Sequence, residues 1–322
     1  MPTRSAAIAS EVIAEQTASD FLAQGGSATG AVLAGFFAAA GAHAGVLLGP
    51  VSILLGAVGT GVRAFDGRLR QPGRGGRRPR GFRSSEAIPT AARVAVPAGV
   101  AAALVALAYD GSQRLGGMVK AGVRLAERGG AESRAELLLR IRAVGAAALG
   151  ETEFVRAMLR EAGPSQGGLL TSADFKISTD LEQRASQRQV GDMLLHEPPW
   201  AADLKPLAPG SECGVGGAVC AVDVQGGFAT LAYRRVLDGF AIDAYELVAP
   251  LVAVPVERGV ERIRPGTCLP SPTPLAIRCD AASVPLEVMA SPAAHRIDAD
   301  TLAGPILRLR RDPQRGWVEV VR

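Results

Sequence analysis

From Phe21 to Val62 the chain carries no Asp, Glu, Lys or Arg. A segment of that length is either buried in a large folded unit or placed in lipid, since about 20 apolar residues are enough to cross a bilayer. This one is rich in glycine and other small residues, and Gly25-Gly26 and Gly49-Pro50 break it. Those breaks favour a buried Ala-rich helix near 27–44, followed by a strand near 51–57, over a membrane span. The whole chain has 322 residues, 48% hydrophobic and 20% charged, which excludes intrinsic disorder and is long enough for one large or two ordinary domains. Aromatic residues make up only 4%, so Ala, Val and Leu must fill the core, and small side chains imply close-packed helices.

Residues 5–24 show helical spacing that stops at Gly25-Gly26, and Ser27 is placed to cap the next helix. Val51–Leu55 and Gly61–Phe65 read as a β-hairpin. Residues 97–162 read as successive helices, with Pro97 in a first turn and breaks at Gly116-Gly117, Gly129-Gly130 and Gly150. Residues 176–212 are polar and then proline-rich, and read as an extended connector. Beyond it, Ala218–Val224 and Phe228–Tyr233 flank the Gly226-Gly227 turn, and short β runs follow at Leu247–Val256, Pro274–Cys279, Leu286–Met289, Ile306–Leu309 and Trp317–Val321. Helices early and strands late indicate an α+β class rather than alternating βαβ units. The division expected is 1–175 helix-rich, 176–212 connector and 213–322 β-rich, within one integrated domain.

The net charge of +4 is local. Arg68, Arg70, Arg74, Arg77, Arg78, Arg80 and Arg83 fall in sixteen residues without an acid, which leaves −3 for the rest. Such a loop can contact phosphates, but it lacks the interleaved aromatics, helix-turn-helix pattern or zinc spacing of a nucleic-acid reader, so a solvated loop is expected. The four cysteines, Cys213, Cys220, Cys268 and Cys279, contain no CxxC pair, so neither a zinc site nor any other metal or cofactor is expected. Glu11, Glu15 and Asp20 interrupt what an export signal would need uncharged, which points to a cytoplasmic, reducing setting.

Several strings carry a resemblance. "LAQGGSATGAVLA" at 22–34 joins a Gly-Gly helix end to a small-residue helix, and "FDGRLRQP" at 65–72 places Arg68 after Phe-Asp-Gly with a proline four residues on. "AVPAGVAAALVALAYDG" at 95–111, "GGLLTSADF" at 167–175, "CAVDVQGGFATLAY" at 220–233, "GTCLPSPTPLAI" at 266–277 and "LEVMASPAAHRI" at 286–297 follow in order. Together they resemble the gamma-glutamyltranspeptidases, in a divergent and shortened form. The resemblance implies an N-terminal-nucleophile (Ntn) hydrolase fold, an αββα four-layer sandwich. In such proteins the chain cuts itself, and the new N-terminal Thr, Ser or Cys attacks while its own α-amine serves as base. It also implies a γ-glutamyl or related amino-acid amide as substrate.

By this resemblance Arg68 would hold the substrate α-carboxylate through its planar fork. Thr267 and Cys268 would line the substrate, and the backbone N–H groups of Ala293 and Ala294 would form the oxyanion hole. The catalytic threonine position falls on Gly216, which has no nucleophile. Cys213, three residues upstream, is a replacement if cleavage after Glu212 frees its thiol and amine. Cys220 is a second candidate, with ordinary burial as its alternative. Asp223 reads as a turn residue or a catalytic one, His295 as a loop residue or a substrate contact, and Thr273 and Ser291 as loop supports. A non-catalytic binding or scaffold subunit, alone as a homo-oligomer or with a partner protein, is the competing reading.

Overall fold

The computed structural model describes residues 3–76, 82, 87–111, 114–176, 180–201, 214–256, 262–272, 274–293, 297 and 306–321. Its architecture follows from two segments that bury both of their faces. The helix at Ala28–Ala42 (α2) is apolar all round, and every residue from Ala28 to Gly41 is buried. Ser27 Oγ accepts the Gly30 N–H at 3.1 Å and caps it as expected. The strand at Val51–Ala57 (β2) turns Val51, Ile53 and Leu55 toward the helices and Leu54 toward a second sheet.

The first sheet has the order β1 (Ala6–Ala9), β7 (Val215–Val222), β8 (Phe228–Arg235), β2, β3 (Gly61–Gly67) and β4 (Glu182–Arg184). The second has the order β14 (Val318–Val320), β13 (Leu307–Arg311), β12 (Pro285–Ala290), β11 (Leu275–Cys279), β6 (Met193–Glu197) and β5 (Ser186–Val190). All pairings are antiparallel. Between the sheets, Leu54, Ala64, Ala218, Cys220 and Val222 pack against Ile277, Val288 and Leu309. A short pair, β9 (Phe240–Ile242) and β10 (Leu247–Ala249), lies apart.

Helices α1 (Val12–Ala23), α3 (Gly99–Asp110), α4 (Leu115–Arg128), α5 (Glu132–Val144) and α6 (Thr152–Ala162) join α2 on the outer face of the first sheet. Small residues set their spacing: a Cβ at Gly41 would lie 2.0 Å from the Gly122 carbonyl oxygen, and one at Gly122 2.2 Å from that of Phe37. Only glycine permits this approach of α2 and α4. No helix among the described residues is long and apolar enough to cross a membrane.

Several expectations need correction. Residues 6–9 form a strand, because they complete the edge beside β7. Gly116-Gly117 lies inside α4 and does not break it. The stretch read as connector carries β4, β5 and β6, whose polar Glu-Gln-Arg composition hides a pairing made at sheet edges. The strand expected to run to 256 ends at Ala249. The described helices form one layer and the two sheets two more. On the outer face of the second sheet, Leu195, Ala276, Met289 and Ile297 form a buried apolar cluster, and on the same face Arg278, Arg308 and Arg310 converge on Glu287, which is only 1% exposed.

Candidate functional site

The register of the first sheet brings distant positions to one end. Gly216 pairs with Arg234 across β7 and β8, the Arg234 N–H donates to the Pro50 carbonyl, and Val51 pairs with Gly67. The leading end of β7 thus lies at the same end of the sheet as Arg68, three strands away, or about 14 Å at the usual strand spacing. Residue 291 and its neighbours continue β12 toward this end, and a Cβ at Gly216 would lie 1.9 Å from the Pro292 carbonyl oxygen. Position 216 is therefore closed to any side chain, not merely without a nucleophile. Arg234, 7% exposed, reinforces the strand end by donating to the Gly214 carbonyl at 2.9 Å.

Asp66, at the close of β3, organises the other half. It is 2% exposed and takes the Arg68 fork in bidentate fashion, with Nε to Oδ1 at 3.0 Å and Nη2 to Oδ2 at 2.8 Å. The same guanidinium lies 5.0 Å from the ring centroid of Trp200, whose indole N–H donates to Ser52 Oγ at 3.4 Å. Burial raises the Asp66 carboxyl, but the hydrogen bonds and charge of Arg68 outweigh it and hold the group below the ordinary carboxylate range. Arg68 is thus fixed along its Nε–Nη2 edge, and its Nη1–Nη2 edge keeps donors for another carboxylate. Cys268 Sγ donates to Asp66 Oδ2 at 3.5 Å. Burial and the Asp66 charge push its thiol up, against the smaller opposing effect of Arg70 and Arg68, so it stays protonated near neutral pH. Thr267 is exposed and contributes its carbonyl to the Gln71 N–H at 2.9 Å, which ties the 267–269 segment to residues 69–71.

No family model matches the chain, and no curated protein does. Solved structures match in fold over nearly the whole length. A variant of LmbA2991 superposes with a TM-score of 0.71 at 14% identity, covering 99% of this chain and 96% of that one. A cephalosporin acylase from Bacillus halodurans gives 0.69 at 11%, covering 98% and 93%. The chain shares its fold with LmbA2991 and with this cephalosporin acylase. A gamma-glutamyltranspeptidase from Pseudomonas nitroreducens complexed with L-DON lies further off, at a TM-score of 0.48 and 17% identity over 64% of this chain and 72% of that one.

Within this fold the expected residues are only partly assembled. Arg68 and Cys268 meet at Asp66. Cys213, Ala294, His295 and Thr273 lie outside the described residues, as do Arg77, Arg78, Arg80 and Arg83 of the basic loop. Ala293 is exposed beside Pro292. Cys220 is fully buried, bonded to Thr230 Oγ1 at 3.3 Å, and burial pushes its thiol up to about 12, so it packs rather than reacts. Asp223 sits at the far end of β7, where it takes the Ala28 N–H at 2.9 Å and the turn N–H groups of Gln225 and Gly227; its role is to bind α2 to the hairpin. Asp66, Ser52, Trp200 and Arg234 are the residues that sequence reading passed over. Only Asp66 carried a signal, being part of the string that singled out Arg68.

Proposed function

We propose that this protein acts on a γ-glutamyl or related amino-acid amide by acyl transfer or hydrolysis, with Cys213 as nucleophile. The observation that carries this is the gathering, at one end of the two-sheet sandwich, of the strand end just after Cys213, the turn at Pro292 and an Arg68 whose second edge is open to a carboxylate. Cleavage after Glu212 frees the Cys213 amine, which takes the thiol proton as the sulfur attacks the amide carbonyl. The backbone N–H groups of Ala293 and Ala294 hold the oxyanion, and the same amine returns the proton to the departing amine. Water or an acceptor amine then releases the acyl group from the thioester. Arg68 orients the substrate, with Cys268 and Thr267 at its flank. A reducing cytoplasm would keep the thiol free.

The closed position at Gly216 favours one second reading, a non-catalytic binding or scaffold subunit. Intact mass of the purified protein and hydrolysis of a γ-glutamyl anilide separate the two. Acyl transfer requires a fragment beginning at Cys213 and amine release that is lost in Cys213→Ala, together with a raised KM in Arg68→Lys. A chain that stays whole and releases no amine leaves the non-catalytic reading.

A further inference from the structure

We propose that the cleft at the N-terminal end of α3 is a separate site for an oxyanion of phosphate type. The cleft has a volume of about 50 Å³ and is lined by Arg70, Arg74, Lys176 and Asp174 against the small walls of Ala98 and Ala101. Among the described residues, none forms a hydrogen bond or ion pair with the side chains of Arg70, Arg74 or Lys176. The Nε of Arg70 is buried without a partner, a state that costs free energy unless an acceptor arrives. Asp174 makes no ion pair with the three cations among the described residues; its oxygens accept the N–H groups of Gly73, Arg74 and Thr171, each at 2.9 Å, and its charge offsets one of the three.

Three positive groups against one negative leave +2, which matches a phosphate dianion better than a single carboxylate. The helix adds to this. Residue Ala98 at the N-cap of α3 offers no side-chain acceptor, and with Ala101 it sets the positive end of the helix dipole at the wall of the cleft. Arg74 occupies the space beside Gly266: a Cβ there would lie 2.5 Å from its Nε, so a side chain at 266 would displace the guanidinium. The cleft lies on the helical side of the first sheet, whereas Arg68 and Asp66 face Trp200 between the sheets; the two sites meet where residue 70 pairs with Cys268, and phosphate binding is read without reference to acyl transfer. Its volume suits one small oxyanion and excludes a dipeptide; since the cleft is partly open, the group can be free phosphate or the head of a phosphomonoester.

Titration calorimetry with inorganic phosphate, and then with glycerol 3-phosphate, at constant ionic strength tests this on the full chain. Saturable one-site binding is expected, weakened about ten-fold or more in Arg70→Gln, and similarly in Gly266→Ala, which displaces Arg74 without removing a charge. Binding of both probes assigns the site to the phosphate group itself, and tighter binding of the ester assigns it to a phosphomonoester. Phosphorus NMR of the unmodified protein guards against variants that fail to fold: an unbroadened phosphate signal, or binding equal in all three proteins, overturns the proposal.

Discussion

At Gly216 a single missing carbon decides what chemistry the fold can hold. Restoring a hydroxyl there does not restore a nucleophile, because the Cβ that carries it would meet the Pro292 carbonyl at 1.9 Å. Backbone on both sides leaves no flexible side chain to yield, so one strand end must move. Gly216→Ala and Gly216→Thr are therefore expected to lose about 1–3 kcal/mol or more to overpacking and to gain no amide hydrolysis. Urea unfolding midpoints check the first part and an anilide assay the second. An alanine variant as stable as its parent would mean that β7 does not abut Pro292. The pair Asp66 and Arg68, at the same end of the sheet, shows the opposite arrangement, in which burial is tolerated because a bidentate partner is present.

The second sheet shows how a charged group can be built into a largely covered outer face. Glu287 is 1% exposed, and Arg278 and Arg308 beside it are themselves mostly covered, so their charges have few alternatives to this carboxylate. Deleting the acid leaves like charges packed together on adjacent strands. Glu287→Ala should cost about 3–5 kcal/mol, the scale found when a buried ion pair loses one partner. Glu287→Gln should recover part of that in thermal unfolding by keeping shape and one acceptor. A loss below about 1 kcal/mol for the alanine variant, as for exposed pairs, would show that water reaches the cluster. The strands β11 to β14 are legible as short apolar runs, but the charge pairing is not: β13 reads Leu-Arg-Leu-Arg-Arg, and its arginines suggest solvent where Arg308 and Arg310 find Glu287 one strand away. By contrast α2 is legible because fifteen residues without a charge allow little else, and the hairpin of β2 and β3 because apolar runs flank a glycine turn. Of the site, Arg68 is legible through its motif, while Trp200 and Ser52 meet it only by packing, which no local pattern records.

For the whole molecule, cohesion rests on the apolar interface between the two sheets, and a histidine is among the ionisable groups buried there. His196 on β6 is 6% exposed, pairs across the sheet with Ile277, and has an Nε2 with no hydrogen-bond partner in the described structure. Burial disfavours its charged form and moves its pKa below the ordinary 6.5. The sign of the linkage follows. Above pH 6.5 the ring is neutral in both folded and unfolded chains and its ionisation has no effect on stability. As pH falls below 6.5 the unfolded chain takes up a proton that the folded one refuses, so stability drops until the lower folded pKa is reached. His196→Phe, which keeps an aromatic ring in the interface and removes the titration, should flatten this part of the profile relative to the parent. Urea unfolding of both proteins between pH 7.5 and 5 measures the difference. Parallel pH profiles would place His196 in contact with water and open the sandwich at β6.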